Sequence, residues 1–319
     1  MIQELKRKIL NKHKIHRQDA IKLIHADLEE LCLAANEIRK YFCGNGFDIC
    51  TIINGKSGKC SEDCKYCAQS SHYTVHVEEY PLLDDDTLLK EALYNHSKGI
   101  LRYSVVTSGR KLTDKEVLNI CKSYKNITSN CDIALCASHG LLSYEQFVKL
   151  KEAGVKRYHN NLETSRSNFI NICTTHTYDD KINAIKDAQK SGLQVCSGGI
   201  MGLGETMEDR IDMALDLRKL SIKSIPINIL NPIKGTPYEN LSLLTINEVR
   251  RIIAIFRFIL PKATLRLAGG RGLLQDKGKS VLQSGANGAI SGDMLTTAGI
   301  SIDEDLSIIS ELGFEVKML

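Results

Sequence analysis

The chain has no apolar run of about 18 residues, the length a membrane-spanning helix needs, and its first residues lack the apolar centre of a secretory signal. A cytoplasmic protein with no membrane partner is the expectation. A large charge of either sign is also missing. The 42 Lys and Arg against 38 Asp and Glu leave a formal net charge of +4, too little to argue for nucleic acid, and the basic start Lys6-Arg7-Lys8 reads as a solvated helix face. Repeats, low-complexity tracts and linker-like stretches are absent, and 43% hydrophobic with 25% charged residues is ordinary globular usage. Cysteine, by contrast, is plentiful: eleven in 319 residues. In a reducing compartment these do not form a disulfide framework, so they are metal ligands or small buried hydrophobes, and position decides which.

Cys60, Cys64 and Cys67 stand in the run Lys59-Cys60-Ser61-Glu62-Asp63-Cys64-Lys65-Tyr66-Cys67. The spacing C-x3-C-x2-C offers three thiolates from one short loop. A cubic [4Fe–4S] cluster can be held there at three irons with the fourth left open for chemistry. A zinc knuckle is the bland alternative, but it needs a fourth ligand and prefers paired C-x2-C spacings. With the aromatic Tyr66 before the last cysteine, the motif resembles that of the radical S-adenosylmethionine (SAM) enzymes, in which the open iron chelates the amine and carboxylate of SAM.

Along the chain, strand-like and helix-like segments alternate. Residues 1–42 are polar with amphipathic stretches around Ala20–Ile24 and Leu28–Leu33 and read as an N-terminal helical extension. Short apolar runs then recur at 49–53, 101–106, 132–136, 155–159, 194–197, 224–228, 264–267 and 288–291. Helical periodicity fills segments between them, as at 144–153, 179–191 and 246–258. The pattern predicts one (β/α)8 TIM-type barrel over residues 43–319, with its site at the C-terminal ends of the strands.

Several segments, in order over most of the chain, resemble the biotin synthases: Ser57 to Gln69, Tyr158 to Ser165, Cys196 to Thr206, Asn228 to Pro237 and Arg266 to Arg271. The resemblance implies a homodimeric radical SAM barrel that inserts sulfur between two unactivated carbons of dethiobiotin. It also implies a reductant such as flavodoxin or ferredoxin, and supply by iron–sulfur assembly proteins. Breaking unactivated C–H bonds is beyond any side-chain acid or base, which is why a cofactor-derived radical is needed and no side chain is expected to be an acid–base catalyst. In the family, electron transfer from the SAM-bound cluster yields a 5′-deoxyadenosyl radical, and the substrate radical attacks a sulfide of an auxiliary iron–sulfur cluster.

The resemblance also implies sites. Gly198, Gly199 and Ile200, in Gly198-Gly199-Ile200-Met201-Gly202-Leu203-Gly204-Glu205, fit a SAM-binding pattern after the fifth strand. Asn161 and Glu163, two apart on strand four, share a face and match positions that meet the ribose, while Tyr66 belongs to the same cofactor site. Lys181 stands where the family often has an arginine near the SAM carboxylate; a surface pair of Glu163 with Lys181 is the alternative. Asn161 and Asn228 suit the ureido ring, since an amide both donates and accepts, and Thr296 and Thr297 match positions near the substrate carboxylate. Turn and helix capping are the alternatives for these residues.

For the auxiliary cluster, Cys136, Cys196 and Arg266 match three family ligand positions, but the fourth matches Ser104. Serine is a poorer iron–sulfur ligand than a thiolate. Cys50 on strand one offers a replacement, and Cys50, Cys136, Cys196 and Arg266 fall on strands one, three, five and seven, the strands that share a barrel layer. A [2Fe–2S] centre, or a larger four-iron cluster with an extra sulfide using space beside Ala268, Gly269 and Gly288, both fit. A buried apolar Cys50 is the alternative. Cys43, Cys131 and Cys173 are weaker candidates, and Cys32 and Cys121 read as helical core. Other functions stay open at this point: a hydrogenase-cofactor maturase, a lysine-derived mutase, or a non-catalytic metal-binding platform.

Overall fold

Helix starts in this chain are set by short polar side chains. Thr113, Ser143, Thr177, Thr206 and Thr245 each cap a helix and accept from the N–H three residues on, where Glu116, Gln146, Asp180, Asp209 and Glu248 reach back to the cap. Such reciprocal capping satisfies donors that the first turn leaves free, and each cap contributes about 1 kcal/mol. The helices so begun span Asp114–Asn130, Tyr144–Glu152, Tyr178–Lys190, Met207–Lys219 and Ile246–Ile259.

A computed structural model describes residues 1–319. Three helices precede the first strand: α1 (Ile2–Leu10), α2 (Arg17–Lys22) and α3 (Leu28–Cys43). There follow β1 (Gly46–Lys56), α4 (Asp85–Ser97), β2 (Arg102–Thr107), α5 (Asp114–Asn130), β3 (Ala134–Ser138), α6 (Tyr144–Glu152), β4 (Arg157–His159), α7 (Arg166–Ile172) and α8 (Tyr178–Lys190). Then come β5 (Gln194–Cys196), β6 (Gly199–Met201), α9 (Met207–Lys219), β7 (Ser224–Ile229), α10 (Ile246–Ile259), β8 (Thr264–Leu267), α11 (Lys279–Gln283), β9 (Gly288–Ser291), α12 (Ile302–Glu311) and β10 (Glu315–Val316).

All the strand pairs are parallel, and β9 pairs with β1, so the sheet closes into a barrel. β5 and β6 are two halves of the fifth barrel strand, interrupted at Ser197-Gly198 and both paired to β7. Eight barrel strands result, a (β/α)8 TIM-type fold. Outward residues such as Phe47 and Ile49 are fully buried under the helices, in one continuous apolar core. α3 packs along α10 on the outside of the barrel, and α1 packs on α3. No helix is long and apolar enough to cross a membrane.

The chain's own residues 315–319 lie across the lower end of the barrel. β10 adds to the start of β1 at Gly46 and Phe47. Leu319 follows, its N–H donating to Asp48 Oδ2 at 3.1 Å and its carbonyl accepting from Arg102 and Arg157 at 3.4 Å each.

Candidate active site

Inside the barrel lies a cavity of about 350 Å³ that runs from Tyr66 and Cys67 above to Cys50, Cys136, Cys196 and Arg266 below. It opens at the C-terminal ends of the strands, where the fold places chemistry. Tyr66, Asn161, Glu163, Ile200, Asn228, Thr296 and Thr297 also line it, whereas Lys181 does not.

The loop after β1 carries the three-cysteine motif, and backbone bonds fix its shape. Cys60 N–H donates to Gln69 O at 3.0 Å, Ser71 N–H to Cys60 O at 2.8 Å and Cys67 N–H to Cys64 O at 3.0 Å. Asp63 docks the loop onto the segment after α7 by accepting from the N–H groups of Thr174 at 2.8 Å and Thr175 at 3.1 Å. Burial pushes the Cys67 thiol up to about 11. Three thiols on one braced loop suit a cluster bound at three corners, and of the three Cys67 lines the cavity mouth. Cys64 here turns toward Cys173 and His176.

The polypeptide beyond β4 continues beside the fifth strand: Leu162 N–H donates to Gly198 O at 3.0 Å and Ile200 N–H to Glu163 O at 2.8 Å. Asn161 Oδ1 accepts the Gly198 N–H at 3.0 Å, and its amide donates to Glu163 at 3.3 Å. Glu163 holds φ 71°, a left-handed conformation uncommon for a side-chain-bearing residue and concentrated at ligand sites. At Gly198 an added Cβ would meet Pro226 O at 1.9 Å, so only glycine lets these strands approach. Lys181 donates to Asn160 Oδ1 at 3.3 Å and makes no ion pair with Glu163. Asn228 bridges backbone, donating to Gly199 O at 3.2 Å and accepting from Gly269 N–H at 3.0 Å, which leaves one N–H and one lone pair for a ligand.

Cys50, Cys136, Cys196 and Arg266 come from barrel strands one, three, five and seven and meet at the cavity floor. All four are at most 9% exposed, yet Cys50, Cys136 and Cys196 stand apart from the continuous apolar core that includes Cys32, Cys121, Cys131 and Cys173. Arg266 Nη1 donates to Cys50 Sγ at 3.3 Å, and Cys196 Sγ lies 3.3 Å from Ser224 Oγ. Burial drives the Cys50 thiol up to about 12, against the pull of Arg266. Burial also acts to raise Cys196, but a hydrogen bond from His159 and the charges of His159, Arg266 and Arg157 bring it down to about 7. Ser104 pairs in register with Cys136 and also faces the cavity.

Charge at this floor is unbalanced. Arg102, Arg157 and Arg266 are all buried, and the only acidic side chain they share is Asp48. Burial alone would raise Asp48, but Arg266 and then Arg102 hold it down to about 2. Arg157 Nε has no hydrogen-bond partner. Three buried guanidiniums around one carboxylate side chain, two of them also reaching Leu319 O, leave an excess of positive charge that suits an anionic group bound by thiolates. Gly288 does not supply room for it, because a Cβ there would meet Asp48 O at 2.8 Å: the glycine makes way for backbone.

Arg102, Arg157 and Asp48 escape a reading that treats charge as a mark of exposure. Alternation finds them: Arg102 is two before Ser104, Arg157 two before His159, and Asp48 two before Cys50. The closeness of Cys173 and His176 to Cys64 has no sequence signal, because only the docking of the loop after α7 creates it.

Comparison with known proteins follows the same lines. Residues 56–217 match the Radical SAM superfamily model and residues 226–315 the Biotin and Thiamin Synthesis associated domain. The chain is 60% identical over 311 residues to a biotin synthase of Akkermansia muciniphila, covering 98% of this chain and 97% of that protein. It is 58% identical over 317 residues to a biotin synthase of Brachyspira hyodysenteriae, covering 99% and 95%. Among solved structures, methylornithine synthase superposes with a TM-score of 0.80 at 19% identity over 98% of this chain and 97% of that one. A maturase of the [FeFe]-hydrogenase, HydG, superposes at 0.84 with 18% identity over 98% and 75%. At such identities the last two speak for the barrel alone.

Proposed function

The chain belongs to the biotin synthase family of radical SAM enzymes, and on that premise we propose how its own residues divide the work of converting dethiobiotin to biotin. When bound, the [4Fe–4S] cluster with SAM supplies the radical that activates the C–H bonds, and an auxiliary cluster supplies the sulfur. Cys60, Cys64 and Cys67 hold the first cluster. Tyr66, Asn161, Glu163, Gly198, Gly199 and Ile200 bind SAM across the mouth, with Lys181 near its carboxylate. Asn161, Asn228, Thr296 and Thr297 orient the substrate between mouth and floor. Cys50, Cys136, Cys196 and Arg266 hold the auxiliary cluster, and Ser104 does not. The N-terminal residues 1–42 form an extension outside the barrel proper. Two chains pair as a homodimer in the cytoplasm, fed by a flavodoxin or ferredoxin and by iron–sulfur assembly proteins.

The observation that carries this reading is the floor: three thiols converging with an excess of buried guanidinium. Such a chamber favours an anionic sulfide-bearing centre, [2Fe–2S] or a four-iron cluster with an extra sulfide, over a merely structural core. Mössbauer spectroscopy with iron and sulfide counts tests it, on wild type beside the Cys60→Ala/Cys64→Ala/Cys67→Ala variant. A second cluster remaining in the variant is expected. Loss of all cluster signal from the variant would remove the sulfur source and overturn the assignment.

A further inference from the structure

Beside the first cluster loop stand Cys173 and His176, two ligating residues that the reaction does not use. Cys173 follows α7, and its Sγ lies 3.2 Å from Asp63 Oδ1, 3.2 Å from His176 Nδ1 and 3.9 Å from His176 Nε2. The ligand atoms of Cys64, Cys173 and His176 all fall within 4.8 Å of one another. His176 Nδ1 in turn sits 2.5 Å from Glu62 Oε2, and both residues are buried.

These distances describe more than a crowded corner. A histidine that gives its Nδ1 proton to a carboxylate keeps a lone pair on Nε2 and a fixed ring plane, the arrangement that orients imidazole toward a metal. Tetrahedral bonds of about 2.3 Å to sulfur and about 2.0 Å to nitrogen put those atoms about 3.5 Å apart. The 3.9 Å between Cys173 Sγ and His176 Nε2 is within a small adjustment of that. Two thiolates neutralise a divalent ion, and Asp63 offers an oxygen as fourth donor. Thiolate with imidazole selects zinc or another divalent transition ion over magnesium or calcium.

We propose that, before its cluster is built, the chain binds one divalent transition-metal ion through Cys64, Cys173 and His176. The inference rests on Cys64 also being a cluster ligand. One sulfur cannot serve both, so the two occupancies exclude each other: Cys64 must leave this site before the [4Fe–4S] cluster completes, and zinc held here delays assembly.

Cobalt(II) titration of the full chain, followed through thiolate-to-cobalt charge-transfer absorption, tests this directly. Cluster-free protein should bind one cobalt with a two-thiolate signature and release it to zinc, while cluster-loaded protein should show no such band. Cys173→Ala should weaken binding by roughly 100-fold or more, since loss of even an outer partner of a ligand costs up to about that. Cys60→Ala/Cys67→Ala, which keeps Cys64, should bind as wild type does. Unchanged binding in Cys173→Ala, lost binding in Cys60→Ala/Cys67→Ala, or equal binding by the loaded chain would each overturn the proposal. The underlying cluster assignment has its own readout: a first cluster retained by Cys60→Ala/Cys67→Ala after reconstitution would refute that assignment and leave the cobalt result standing.

Discussion

At the scale of single residues, the site depends on atoms that are missing as well as present. Gly198→Ala would drive a methyl group against the Pro226 carbonyl, 1.9 Å from the ideal Cβ position. We expect a loss of roughly 1–3 kcal/mol in stability and a larger loss in SAM affinity, measured by denaturation and by equilibrium binding. Cys50 and Ser104 make a second contrast. Cys50→Ala should lose auxiliary-cluster iron and biotin formation while still cleaving SAM, and Ser104→Ala should keep both; auxiliary iron retained in Cys50→Ala would transfer the ligand role elsewhere. The three-cysteine motif and the glycine-rich turn were legible because each needs only local spacing. Arg102, Arg157 and Asp48 were not, because a charge within an apolar run is ordinarily read as solvent-facing, and only period-two alternation turns it inward.

Between elements, His139 is the clearest tie. It follows β3 directly and is fully buried, with Thr107 Oγ1 of β2 3.0 Å from Nδ1, the Tyr124 hydroxyl of α5 2.9 Å from Nε2, and its own N–H donating to Tyr158 of β4 at 3.0 Å. Burial depresses its pKa to about 3. An unfolded histidine titrates near 6.5, so between these values the unfolded chain binds the extra proton. The stabilisation is therefore complete above about pH 6.5 and is lost as pH falls toward about 3. His139→Gln should flatten the fall in stability between about pH 4 and 6 by about 1.4 kcal/mol per pH unit, read from urea unfolding at successive pH values. Barrel strands were visible in the sequence as apolar runs. The helical extension was visible too, and α1 lies within it with Ile2, Leu5 and Ile9 buried; strand β10 was not, being two exposed residues paired only through tertiary docking. The interruption between β5 and β6 is likewise set by the backbone approach at Gly198, which a hydropathy pattern does not register.

For the whole molecule, the decisive feature is the lower end, which the last strand crosses. Leu319 and β10 lie across the barrel beneath Asp48, Arg102 and Arg157, and the cavity reaches Tyr66 and Cys67 at its other end. The floor is thus the deep end of a cavity with a mouth at the C-terminal ends of the strands, like the bottom of a vessel filled through its neck. On the proposed assignment, a group that reaches the floor through that mouth enters before SAM and substrate, which would stack above it. Exchange of isotopically labelled iron and sulfide at the floor should accordingly slow when both SAM and dethiobiotin are bound, and Mössbauer spectra taken over the exchange would report it; equal rates with and without ligands would show a second way in. Replenishing the sulfur store is then an event between turnovers, timed by the emptying of the chamber above it.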